Sequence, residues 1–229
     1  MKTFITLLLA VTLTLPSFGQ KRTVDVGSFS ELSLGISANL YLKQGSSNRV
    51  EIECDDDVFE DIEFEVKGDR LVIKKEGSWS WGSGWRKSEV TIYVTMDKIE
   101  GLSVSGSGNI EGKGKLRTED VRLSVSGSGD MDLEMESDEL DMRISGSGSI
   151  RLNGTAEEAE ARISGSGRIK AEDLTVKTFA ARISGSGSCY ITVTDEIDAS
   201  ISGSGSVYYA GDPKRVISNS SGSGKVRKM

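Results

Sequence analysis

The sequence predicts an all-β fold, a single-stranded right-handed parallel β-helix (a solenoid) with about 19–20 residues per coil. Three observations carry that prediction. The tetrapeptide Ser-Gly-Ser-Gly begins at Ser105, Ser126, Ser145, Ser164, Ser184, Ser202 and Ser221, at intervals of 21, 19, 19, 20, 18 and 19 residues, and a fixed period of this length marks a stacked repeat. The residues around each copy alternate apolar and polar with the period of two that strands require. The composition, with 27 Gly, 2 Pro and 6% aromatic residues, suits many tight turns better than long helices.

The alternation is in phase from copy to copy. Immediately before the tetrapeptides stand Val104, Val125, Ile144, Ile163, Ile183 and Ile201, with Ser220 in the last copy, and two residues after them stand Ile110, Met131, Ile150, Ile169, Cys189, Val207 and Val226. The pattern continues backwards through Leu102, Leu123, Met142, Ala161, Ala181 and Ala199, and through Val121, Leu140, Ala159, Phe179, Ile197 and Val216. On the far side it runs through Leu133, Leu152, Ala171, Ile191 and Tyr209. One coil cannot bury such a face alone, but stacked coils share one interior and bond strand to strand at about 4.8 Å. Parallel crossovers are right-handed in nearly all cases, which sets the expected hand. A propeller blade needs roughly twice this period.

Glycine at a fixed place in every coil lets the chain turn a corner at the same point each time. The serines Ser105, Ser126, Ser145, Ser164, Ser184, Ser202 and Ser221 then form a ladder along that corner. Two readings of the ladder stand side by side: a structural corner, with hydroxyls bonding locally or to the next coil, or a flat hydroxyl array that meets a ligand.

Residues 1–19 read as a secretory signal peptide, with Lys2, an apolar run from Phe4 to Leu15 and small residues near Gly19. The run is shorter than the roughly 20 apolar residues of a spanning helix, and no Cys near the cleavage site marks a lipid anchor. The mature chain, residues 20–229, is expected to form one β-helical domain without a transmembrane segment. Its part 99–229 holds the Ser-Gly-Ser-Gly coils. Part 23–98 lacks the tetrapeptide but alternates in the same way, through Leu32-Leu34-Ile36, Leu40-Leu42, Val50-Ile52-Cys54, Ile62-Phe64-Val66, Leu71-Ile73 and Val90-Ile92-Val94. These irregular strands are expected to start the solenoid and cap its end.

The order of signal peptide, an irregular β segment containing GDRLVIKK, then VTIYVTMDKIEGLSVSGSGNI and further Ser-Gly-Ser-Gly coils is similar to the auto-transporter adhesin head GIN domain family, common in Bacteroidetes and of unknown function. The resemblance covers nearly all of the mature chain. It implies a right-handed β-helix, export to the periplasm or cell surface, and adhesion, and it brings no catalytic residues. Only Lys225 to Met229 follow the last tetrapeptide, so no membrane barrel for autotransport is expected.

Charge and residue types narrow the function classes. Cleavage after Gly19 leaves 27 basic and 35 acidic residues, a net charge of −8. An acidic chain without an evident basic stripe is a poor nucleic-acid ligand, because such affinity rests on Lys and Arg replacing counterions. The sequence contains no His, which removes the commonest general base and most zinc sites, and the even coil lengths leave no long loops to wall a catalytic groove. No enzyme activity, cofactor or metal is expected. Asp55-Asp56-Asp57 with Glu60 and Asp61 lacks the Gly-x-Asp spacing of calcium-binding solenoids and reads as a solvated acidic turn.

Cys54 and Cys189 both fall on inward columns several coils apart, too far for the roughly 6 Å between bridged Cα atoms, so two buried free thiols are expected. Trp79, Trp81 and Trp85 crowd into a Gly/Ser-rich segment between two strands. They either stack on a sugar ring or anchor a protein partner, or they screen the apolar end of the solenoid. The leading expectation is a non-catalytic exported module that binds a cell-surface glycan or protein. The second is an envelope scaffold that assembles through solenoid ends or faces. The oligomeric state is not legible.

Overall fold

The computed structural model describes residues 21–76 and 89–229. In them the chain forms a β-solenoid of about seven coils, stacked by parallel pairing within one continuous sheet. The N-terminal part supplies β1 (Arg22–Val24), β2 (Glu31–Leu34), β3 (Asn39–Gln44), β4 (Arg49–Glu53), the short helix α1 (Asp56–Glu60), β5 (Ile62–Lys67), β6 (Arg70–Lys75) and β7 (Thr91–Met96). The repeat part supplies β8 (Gly101–Gly106), β9 (Asn109–Gly127), β10 (Asp130–Gly146), β11 (Ser149–Gly165), β12 (Arg168–Gly185), β13 (Ser188–Gly203), β14 (Ser206–Ala210), β15 (Arg215–Gly222) and β16 (Lys225–Lys228).

The long strands bend at corners yet stay paired over most of their length. Asp130 to Gly146 run in register against Ser149 to Gly165, nineteen residues on. Where a coil is longer or shorter, the register shifts locally, as between Arg151 and Asn153 opposite β12. The inward columns are those the alternation marks. Val104, Val125, Ile144, Ile163, Ile183 and Ile201 are each at most 2% exposed, and each such burial contributes about 1.5–3 kcal/mol. Large and small side chains alternate from coil to coil in places, as close packing allows: in one column Ala159 on β11 lies between Leu140 on β10 and Phe179 on β12, all buried.

The N-terminal part is interleaved rather than stacked in chain order. β2 lies between β6 and β8, and β3 between β7 and β9, all parallel. The chain therefore starts one coil in, builds the outermost coil with β6 and β7, and returns past β2 and β3. Antiparallel strands finish that end: β5 pairs with β6, and β4 pairs with β7 on one side and β1 on the other. Glu31 ties three layers together, accepting hydrogen bonds from Arg70 on β6 (2.7 Å) and Arg122 on β9 (2.8 Å). Gly101, the residue between Glu31 and Arg122 in the stack, has no side chain to obstruct that reach. Burial raises the Glu31 carboxyl, but the two arginine hydrogen bonds outweigh it and hold it below the usual carboxylate range.

The acidic stretch expected as a turn spans the short helix α1, from Asp55 at its N-cap to Asp61 at its C-cap. Asp56 and Asp57 sit at its N-terminal end, where the helix dipole favours negative charge. Its one buried residue, Val58, packs into the apolar interior. Cys54 and Cys189 are buried free thiols. At the other end the pattern departs from expectation. Val216 continues an inward column but is 42% exposed, since β15 is paired on one side only, with β13. Ser218 and Ser220 stand over Ala199 and Ile201, so hydroxyls take the place of apolar side chains in these two columns.

Candidate functional site

The Ser-Gly-Ser-Gly corner is built by the backbone, and its two glycines act differently. The first lies at positive φ in every copy, +124° at Gly146, a conformation that side chains disfavour. The second is buried and points inward. A Cβ on Gly148 would lie 2.2 Å from the Gly129 carbonyl oxygen and 2.6 Å from Val125 Cγ1. The parallel ladder runs on through the corner, with Ser147 N–H donating to Gly127 O at 2.8 Å and Ser166 N–H to Gly146 O at 2.9 Å. Ser105, Ser126, Ser145, Ser164, Ser184, Ser202 and Ser221 are all exposed. None of their hydroxyls makes a hydrogen bond among the described residues.

The face leading to this corner carries three further outward columns. Two residues before the tetrapeptides stand Ser124, Arg143, Arg162, Arg182 and Ser200, so three guanidinium groups stack on successive coils. Beside them run Arg122, Asp141, Glu160, Ala180 and Asp198, and beyond these Asp120, Glu139, Glu158, Thr178 and Glu196. Stacked arginines repel, and the neighbouring acids relieve that repulsion. Arg143 reaches Asp141 at 2.5 Å, Arg162 reaches both Glu160 (2.6 Å) and Asp141 (3.4 Å), and Arg182 pairs with Glu160. The hydrogen bond from Arg143 to Asp141 holds that guanidinium still more firmly protonated. Arg143, Arg162 and Arg182 line a shallow groove of about 640 Å³ together with the serines of the corner. Alternation alone does not draw attention to this arginine ladder, but its fixed offset from the tetrapeptide is readable in the sequence.

Trp79, Trp81 and Trp85 lie outside the described residues, as do residues 1–19. Among the described residues no group of three or more His, Cys, Asp or Glu side chains is placed to hold a metal ion, and no helix is long and apolar enough to cross a membrane.

With this corner and its register established, relatives can be compared. A family model described as "Putative auto-transporter adhesin, head GIN domain" matches residues 28–213. The chain belongs to the head GIN domain family. Among solved structures, this GIN domain chain is similar to a "putative adhesin" from Bacteroides fragilis, with a TM-score of 0.85 and 25% identity, covering 92% of this chain and 96% of that one. A "putative lipid binding protein" from Parabacteroides distasonis aligns with a TM-score of 0.74 at 24% identity, covering 93% and 98%. A "putative adhesin" from Parabacteroides merdae aligns with a TM-score of 0.73 at 23% identity, covering 93% and 97%. The last two likenesses are of fold. No curated protein matches the GIN domain chain.

Proposed function

We propose that this GIN domain protein is an exported, non-catalytic binding module that attaches to a glycan or protein at the cell surface. The observation that carries the reading is the family match over residues 28–213, supported by the B. fragilis adhesin-like structure that shares the whole solenoid. The geometry suits the role. Outward columns are held in register by a backbone ladder that owes nothing to them, so the surface can present polar groups at fixed steps of about 4.8 Å without any cost to the core. Residues 1–19 serve as the export signal, and the clustered Trp79, Trp81 and Trp85 supply the large aromatic surfaces that dominate binding sites. The envelope-scaffold alternative calls for docking through the solenoid ends or faces.

The test is a glycan and envelope-protein screen of the secreted chain beside a Trp79→Ala/Trp81→Ala/Trp85→Ala variant. A ligand retained by the wild type and lost by a variant with unchanged circular dichroism supports the reading. Loss of folding in the variant, or a ligand bound equally by both, removes the tryptophans from the site. No ligand, together with concentration-dependent mass, favours the scaffold.

A further inference from the structure

A second long face carries a cluster that neither the corner nor the tryptophans account for. The residues one and three positions after each tetrapeptide point outward and stack in two neighbouring columns. The first column reads Asn109, Asp130, Ser149, Arg168, Ser188, Ser206, Lys225, and the second reads Glu111, Asp132, Arg151, Lys170, Tyr190, Tyr208, Arg227. In the earlier coils the polar groups satisfy one another. Ser149 donates to Asp130 at 2.5 Å, and Arg151 pairs with Asp132 at 2.9 Å.

Over the last four coils this mutual pairing stops. Arg168 and Lys170 stand at one end, Lys225 and Arg227 at the other, and Ser188, Tyr190, Ser206 and Tyr208 fill the space between them. The half-buried Tyr190 and Tyr208 rings stack with centroids 4.8 Å apart and planes 12° from parallel. None of the four cations forms an ion pair, and neither phenol hydroxyl makes a hydrogen bond, among the described residues. The nearby acids are not partners either: Asp212 pairs with Lys228, and Glu172 and Asp173 pair with none of the four. Elsewhere the cations of this acidic chain are paired almost throughout, with Lys43 and Lys98 the other exceptions among the described residues. Four unpaired cations gathered around two stacked rings thus stand apart from the rest of the surface.

We propose that this face binds a short acidic oligosaccharide, an oligouronate laid along the solenoid axis. Three coil steps of about 4.8 Å place the two cation pairs roughly 14 Å apart, and the members of each pair sit roughly 6.6 Å apart along their strand. The Arg and Lys ends engage carboxylates by charge-assisted hydrogen bonds. Between them, the tyrosine ring edges pack against sugar C–H groups, while the Tyr and Ser hydroxyls meet sugar hydroxyls. A nucleic acid fits less well. The basic face ends at the Arg151–Asp132 pair, and the net charge of −8 on residues 20–229 repels a long polyanion. The proposal goes beyond the general binding role and is independent of the tryptophan segment.

The test is isothermal titration of the purified protein with tetragalacturonate and with its fully methyl-esterified form. Lys170→Gln/Arg227→Gln and Tyr190→Ser/Tyr208→Ser variants are run alongside, each checked by circular dichroism. The acid is expected to bind with an affinity that falls as salt rises, the ester to bind at least about tenfold more weakly, and the charge variant to lose about tenfold while staying folded. Should the tyrosine variant unfold, the charge variant still decides. Absence of binding, an ester bound as tightly as the acid, an unchanged charge variant, or equal competition by a single-stranded oligonucleotide of matched charge would each overturn the assignment. The tryptophan variant should bind tetragalacturonate normally, so failure here and failure of the tryptophan reading are separable.

Discussion

Substitutions at a single corner separate the work of the glycines from that of the serines. In Gly146→Ala the new Cβ would sit on a backbone at φ +124° and 2.5 Å from the Gly127 carbonyl oxygen. Backbone strain of about 1–3 kcal/mol adds to overpacking of about 1–3 kcal/mol, giving a loss of about 2–6 kcal/mol. In Gly148→Ala the backbone angles are ordinary, but the obstacles are the Gly129 carbonyl and fully buried Val125, neither of which can swing aside. That variant should lose about 1–3 kcal/mol. Ser145→Ala removes an exposed hydroxyl with no partner among the described residues and should stay within about 0.5 kcal/mol of the parent. Urea unfolding followed by far-ultraviolet circular dichroism gives the ranking, and thermal midpoints should fall by about 2–4 °C per kcal/mol for a chain of this size. The reasoning fails if Ser145→Ala loses as much as either glycine variant, since hydroxyl contacts would then hold the corner. It fails equally if Gly146→Ala unfolds with the wild type.

Two further outcomes follow from buried groups. Burial pushes the Cys189 thiol far above its ordinary range, so the folded state keeps that proton at a pH where the unfolded chain loses it. This contribution is complete below the ordinary thiol pKa and declines as pH rises above it, by up to about 1.4 kcal/mol per pH unit. The urea midpoint should therefore fall more steeply above pH 9 in the wild type than in Cys189→Ala, and equal slopes would refute the linkage. Ser137 Oγ is buried without a hydrogen-bond partner among the described residues and stacks on Ala156 in the next coil, so Ser137→Ala should raise stability by about 1 kcal/mol; an unchanged or lower urea midpoint would show that the hydroxyl is satisfied in solution.

How much of this was legible in the sequence depends on what a repeat encodes. The tetrapeptide marks the phase of each coil, so the inward columns from Val104 to Ile201 can be read without coordinates. Between residues 23 and 98 no such marker exists. Alternation identifies the strands around Leu32, Leu40, Ile73 and Ile92, but a period of two is the same for parallel and antiparallel neighbours and says nothing about stacking order. Hence the interleaving of β2 and β3 between later strands was not foreseeable. Val216 fails for a different reason: its alternation is correct, but burial needs a neighbour on both sides, and β15 is paired with β13 alone. Outward columns can be read only by offset. The arginines of the corner face and the cations and tyrosines of the second face recur at constant distances from the tetrapeptide, yet net charge averages them into an acidic surface and hides both.

The stack makes inward and outward positions obey different constraints. An inward side chain touches the coils on either side as well as its own, so small Ala159 is flanked in its column by the larger Leu140 and Phe179. An outward side chain carries no such obligation, and one column passes from Asp132 through Arg151 to Tyr190 with its members still directly paired. Chemical variety therefore collects on the faces while the spacing stays uniform. A compact ligand meets one or two coils of such a surface, but an extended ligand with its own repeat meets many at matched intervals. Binding energy spread over several weak, equally spaced contacts is lost steeply when the ligand is shortened, because each step removes a contact that the rigid stack had already positioned.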